Sequence, residues 1–177
     1  MNLQSERLTF RHYTDSDLDF LHSLLSDPEM VRYIGEGNTR DREGAGEFLQ
    51  WIYHTYSSGR DLGLMVLETK STQTRIGHAG LVPQKIEGKT EIEIGYWISK
   101  EFWGSGYATE AAVTLLDYGR SQLDITRFIA LIQPANTPSK RVADKLGMTI
   151  DSELLLKGQK VQVYSIQNQL IEKDDPN

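Results

Sequence analysis

A chain of 177 residues, 38% hydrophobic and 25% charged, is one domain's worth and can bury roughly two-thirds of its unfolded surface. A formal charge of −6 argues against a duplex nucleic-acid partner, which needs a basic face to displace counterions; the lack of cysteine removes disulfides, thiolate ligands and a cysteine nucleophile. No apolar run approaches the roughly 18 residues of a membrane span, and the start MNLQSERLTF carries charges where a signal peptide has its apolar core, so the expected location is the cytoplasm, with no membrane partner.

Residues 3–12 alternate, with Leu8, Phe10 and His12 on one face, and read as a strand. Thr14 and Asp17 form a capping box before Leu18, Phe20, Leu21, Leu24 and Leu25, an apolar stripe at helical spacing. Pro28 ends that helix, and a short second one carries Met30, Val31 and Ile34 before Gly35 and Gly37 break the chain. Residues 41–58 predict a longer helix with Phe48, Leu49, Ile52 and Tyr56 inward. From Gly63 the period becomes two: Leu64 and Val66, then residues 75–82, read as two strands of a meander joined by the polar turn 70–74. After a turn at 87–89, residues 90–98 form the third strand. A helix is expected over about 106–123, with Ala108, Ala111, Ala112, Leu115 and Leu116 facing in. Residues 127–133 are an almost unbroken apolar strand, as suits one covered on both faces. A short helix over 139–146 stops at Gly147. Strands over 148–156 and 161–169 then flank a hairpin turn at 157–159. This order gives an α+β, mixed-sheet domain and not a doubly wound one. The expectation is a single domain over 1–177, with its core at about 3–170 and a charged, flexible tail at 171–177.

Residues 91–109, EIEIGYWISKEFWGSGYAT, carry the chemistry. An alternating strand runs into a loop with two glycines, Gly104 and Gly106, and the loop opens directly into a helix. Backbone N–H groups at a helix start have no intrahelical partner and bind anions, and small residues let a phosphate come close. Ala108 keeps the first turn thin. The loop reads as a diphosphate cradle. It is not a nicotinamide fingerprint, since position six falls on Thr109 and no βαβ unit surrounds it.

Three segments together resemble the GCN5-related N-acetyltransferase superfamily, in the branch of the RimJ and RimL ribosomal-protein N-acetyltransferases. They are SERLTFRHYTDSDLD, EIGYWISKEFWGSGYATEA and NTPSKRVADKLGM, and the likeness spans about residues 3–170. The resemblance implies a central, mostly antiparallel sheet splayed between two parallel strands and flanked by helices. Acetyl-CoA is the implied cosubstrate, lying where residues 91–98 and 128–133 part. Backbone groups of Trp97 and Ile98 would pair with its pantetheine arm. Trp103, Gly104, Ser105, Gly106, Tyr107, Ala108 and Thr109 would hold its diphosphate. Trp103 replaces the polar residue that opens the general family pattern, an exchange this branch accommodates. Asn136 maps onto a pantetheine contact, Ser139 onto a hydroxyl near the thioester sulfur, and Lys140 onto the cofactor's outer end; Arg141 is within reach of phosphate as well.

The acceptor is then an amine that must lose its proton before attacking the thioester. An α-amine, with a pKa of about 7.8, is neutral to roughly one part in seven at pH 7; a lysine near about 10.4 is neutral to about four parts in ten thousand. A modest base therefore serves an α-amine, and a carboxylate raised toward neutrality fits. Glu93 is the leading base, with Glu91 two residues away on the same face. Ser139 is the donor to the leaving thiolate, and Tyr96 polarises the carbonyl or lines the acceptor channel. The expected reaction is direct transfer in a ternary complex to a protein or peptide N-terminal α-amine. A small amine (polyamine, amino acid or antibiotic) is the nearest alternative, and a non-catalytic acetyl-CoA sensor the more distant one.

Each residue has a plainer reading too. Glu91 and Glu93 suit a solvated strand face, Asn136 a turn before Pro138, Ser139 the N-cap of its helix, and Lys140, Arg141 and Lys145 a solvated helix face. His12, His22, His54 and His78 share no metal-ligand spacing and read as half-buried surface residues, so no metal is expected. Trp51, Tyr53 and Tyr56 read as core or lid. The oligomeric state stays open, a homodimer through sheet edges being one option.

Overall fold

A computed structural model describes residues 3–59 and 61–168; the tail expected at 171–177 and the end of the last expected strand at Gln169 lie outside them. In chain order come β1 (Leu8–His12), α1 (Leu18–Leu25), α2 (Pro28–Val31), α3 (Arg42–Tyr56), β2 (Gly63–Thr69), β3 (Arg75–Ile86) and β4 (Lys89–Ile98). Then follow α4 (Tyr107–Gln122), β5 (Arg127–Ile132), α5 (Thr137–Lys145), β6 (Thr149–Leu156) and β7 (Gln159–Gln167). The strands form one seven-stranded sheet in the order β1-β2-β3-β4-β5-β7-β6. Every neighbouring pair is antiparallel except β4 and β5, which run parallel and meet at one position, Glu93 opposite Ile129.

Each sheet face buries its own apolar cluster. Leu115 and Leu116 of α4 and Val142 and Ala143 of α5 pack with Ile94, Ile98 and Phe128. Leu21 and Leu25 of α1 and Leu49 and Ile52 of α3 pack with Leu64, Val66 and Val82 on the other side. The expected capping box is present: the Thr14 N–H donates to Asp17 at 2.9 Å. Asp17 is fully buried and also accepts from Arg11 at 2.7 and 2.8 Å and from Arg75 at 3.1 Å. Burial alone would raise its pKa, but the hydrogen bonds from Arg11 and Thr14 win and hold it well below the carboxylate range.

β1 begins at Leu8 and not at residue 3, and β7 at Gln159 and not at 161; two further boundaries differ from expectation for identifiable reasons. β3 runs through Pro83 to Ile86. The missing N–H of Pro83 costs nothing there, because the β2 ladder already ends at Gly63 opposite Leu81 and that side of β3 is an edge. α5 starts two residues before Ser139, with Pro138 in its first turn, where a missing N–H would be unpaired anyway. Its N-cap is therefore Asn136 and not Ser139: Asn136 Oδ1 accepts from the Ser139 N–H at 3.3 Å.

Candidate active site

Beyond Glu93 and Ile129 the two parallel strands separate, because no further pair joins them. Strand alternation decides which backbone groups face the gap. The Ser99 N–H donates to the Ile76 carbonyl at 2.7 Å, and Gly77 lies opposite Ile98. Gly77 and Ile98 are thus a non-bonded pair, and Trp97 exchanges its backbone hydrogen bonds with His78. The expectation that Trp97 lends its main chain to a pantetheine arm is corrected: Tyr96 and Ile98 turn their N–H and C=O groups toward the gap. The two strands approach closely here: a Cβ on Gly77 would sit 2.1 Å from the Trp97 carbonyl oxygen.

The same alternation separates the proposed catalytic side chains. Glu93 and Trp97 share the face of α1 and α3, while Tyr96 points to the face of α4 and α5. Half-buried at the last bonded position, the Glu93 carboxylate accepts from Gln84 Nε2 at 2.6 Å and from the Leu131 N–H. Leu131 lies two residues beyond Ile129, so Glu93 takes up the first β5 donor left over where the ladder ends. Burial raises the Glu93 pKa, and the two donors offset only part of that rise. Across the gap, the Tyr96 hydroxyl lies 3.5 Å from the Ser139 carbonyl oxygen. Burial lifts the Tyr96 phenol to about 12, so it is a neutral donor at pH 7 and not a base. The Ser139 side chain also hydrogen-bonds the Tyr96 phenol and offsets part of that rise, while the Asn136 contact is to the Ser139 backbone. Tyr96 and Ser139 therefore meet on one face of the opening in the sheet, and Glu93 stands on the other.

The glycine loop follows at the end of β4. Gly104 and Gly106 both take positive φ, 75° and 82°, and Gly106 stands at the N-cap of α4. Such alternation turns successive N–H groups to one side, the geometry of an anion-binding nest. Trp103 is half-exposed, and its indole N–H donates to the Ile98 carbonyl at 2.6 Å. The residue that departs from the family pattern thus keeps a polar handle and pins the loop to the strand end. Ser105, Tyr107, Ala108 and Thr109 continue from loop to first helical turn. Lys140 is half-buried on the first turn of α5, its charge felt by Glu153 of β6, and Arg141 is exposed. An acyl thioester with a diphosphate-bearing tail fits these residues, the tail at the loop and the thioester end at the gap.

Some site features have no sequence signal. Lys100, just past β4, pairs with Glu29 of α2, and Gln133, just past β5, donates to the Gly35 carbonyl at 2.8 Å. Residues 29–35 are thereby tied across both ends of the parting strands. An aromatic wall stands beside them, with Phe48 5.1 Å from Trp51 and 5.7 Å from Trp97, ring centre to ring centre. His78 corrects the reading of the histidines as surface residues: it is fully buried, accepts from or donates to Tyr13 at 2.7 Å, and burial lowers it to about 3.

A sheet opened between two parallel strands, with a glycine cradle at the end of the first, defines an acyl-CoA-dependent acyltransferase. The family described as "Acetyltransferase (GNAT) domain" matches residues 7–149, and the chain belongs to that family of N-acetyltransferases. It is 35% identical over 163 residues to the protein YkkB of Bacillus subtilis, covering 92% of this chain and 93% of that one. It is 33% identical to the N-acetyltransferase p20 of Bacillus licheniformis, covering 92% of each. Among solved structures, the RimL ribosomal L7/L12 α-N-protein acetyltransferase in complex with coenzyme A superposes with a TM-score of 0.78. It is 18% identical and covers 94% of this chain and 98% of its own, a likeness of fold.

Proposed function

We propose that this N-acetyltransferase moves the acetyl group of acetyl-CoA directly onto the N-terminal α-amine of a protein or peptide. The observation that supports this most is the opening between β4 and β5, with Glu93 on one face and Tyr96 and Ser139 on the other. An amine entering from the α3 face meets a carboxylate, while the cosubstrate enters from the α5 face and supplies the activated acyl group. Both must be bound together, because the reacting atoms meet within the opening.

Glu93 takes the ammonium proton, directly or through one water, and its raised pKa brings it closer to the amine's own. The Ser139 hydroxyl gives a proton to the departing thiolate and is reprotonated by the nitrogen of the tetrahedral intermediate, which sheds its second proton as the amide forms; Tyr96 donates a hydrogen bond without ionising. Because Gln84 and Leu131 hold Glu93 partly in its charged form, it is a modest base. That matches an α-amine better than a lysine, which needs about 3.5 kcal/mol more for deprotonation. The fold shared with RimL is consistent with such an acceptor.

The test is thiol release from acetyl-CoA with peptides bearing free N-termini, the same peptides N-blocked but containing lysine, and polyamines. Release is expected with the free N-termini alone; release with polyamines alone would replace the acceptor class. Glu93→Gln is expected to lower kcat about a hundredfold and to remove the acidic limb of its pH profile. An unchanged rate excludes Glu93 as the base.

A further inference from the structure

The geometry points to Arg7, on the approach to β1, as the positioning residue that turns the glycine loop's N–H groups toward the coenzyme diphosphate; this rests on the cradle reading above. Arg7 Nη1 donates to the Ser105 carbonyl at 3.1 Å. The Ser105–Gly106 peptide is trans, so its C=O and N–H point in opposite directions. A carbonyl drawn outward to Arg7 aims the Gly106 N–H inward. Without that contact, two left-handed glycines leave the peptide free to rotate, because glycine occupies positive and negative φ with equal ease.

Arg7 is itself held by Tyr107 and Glu110. Its guanidinium lies 4.3 Å above the Tyr107 ring. Nε and Nη2 each reach Glu110 Oε2 at 2.6 Å, and the Arg7 N–H meets Oε1 at 2.8 Å. Ser5 Oγ donates to the same Oε1 at 2.6 Å. Glu110 sits in the first turn of α4, where its charge would repel a diphosphate at the helix start; the guanidinium neutralises it. The Arg7 side chain is 43% exposed, and ion pairs so open to solvent contribute little to global stability. The arrangement therefore acts on the loop more than on the fold. A lysine cannot copy it, since only a guanidinium forks to a carboxylate while also reaching a carbonyl and stacking on a ring.

Calorimetric titration with coenzyme A and, at millimolar concentration, with pantetheine, which lacks the diphosphate, tests the role. Arg7→Ala is expected to weaken coenzyme A about tenfold, the scale of one hydrogen bond to a charged group, and to leave pantetheine binding and Tm unchanged. Arg7→Lys should recover only part of the loss. Removing the charge of Glu110 as well, in Arg7→Ala/Glu110→Gln, should relieve repulsion without restoring full affinity. Equal weakening of both ligands, or of neither, overturns the role of Arg7 while leaving the cradle standing. A wild-type protein that binds coenzyme A no better than pantetheine overturns the cradle and Arg7's role with it.

Discussion

Gly106 shows how much a single backbone angle decides. At φ 82° and ψ 1° it occupies the left-handed region, where a β-branched residue is strained. A Cβ there would meet nothing closer than Arg7 Nη2 at 3.6 Å, so the penalty is conformational, and the loop relieves it by changing shape. A ligand at a hundredfold excess over its Kd is expected to raise the Tm of a domain this size by about 5–10 °C. Gly106→Val is expected to lose most of that shift with coenzyme A, read by thermal melting, while its own Tm without ligand falls only slightly. A full shift in the variant would move the cofactor away from this loop. The glycines were legible because their spacing is local and their chemistry is unique. The direction of the Trp97 main chain was not: it depends on which pairs of β3 and β4 bond, a register fixed by the remote contact of Ser99 with Ile76.

At the level of elements, patterns read well wherever burial follows periodicity. The apolar run of β5 and the stripes of α1 and α3 are of this kind. Pro83 and Pro138 misled because proline's cost depends on a partner the sequence does not display: a strand edge in one case, a helix's first turn in the other. The junction of α4 with β5 supplies a sharper test. Gly119 lies in the last turns of α4, where glycine costs about 1 kcal/mol relative to alanine. It is there because a Cβ would stand 2.6 Å from Phe128 Cε1 and 3.2 Å from a Leu81 methyl, and Phe128 is fully buried on β5. Gly119→Ala should therefore destabilise by about 1–3 kcal/mol despite its better helix propensity, measured by urea unfolding. A gain in stability would mean that the helix can lift from the sheet at no cost.

The whole molecule's response to pH turns on one ring inside it. His78 is fully buried on the α1 and α3 face, between Trp97 at 4.6 Å and Phe48 at 6.5 Å, with Tyr13 as its hydrogen-bond partner. Neither Trp97 nor Phe48 can carry a charge, and burial lifts the Tyr13 phenol well above its ordinary value, so nothing around the ring stabilises an imidazolium. Burial lowers His78 to about 3 in the folded state, against about 6.5 when unfolded. Between those values the unfolded chain binds a proton that the folded one refuses. Stability is thus fully present above the unfolded pKa and falls as pH drops, by about 1.4 kcal/mol per pH unit for one proton. Asp17, held low by Arg11 and Thr14, adds its own loss only below about pH 4, its unfolded range. Glu93 works the other way, since its raised pKa lets the folded state take up a proton first as the medium acidifies. Between pH 6.5 and 5 the descending slope therefore belongs chiefly to His78. His78→Phe removes that slope and leaves the acid limb of Asp17 in place, whatever the variant's absolute stability, as urea midpoints across the range will show. A wild-type curve that stays flat from pH 6.5 to 5 would mean that the ring reaches water, and that the core beneath α1 and α3 is open where it looks closed.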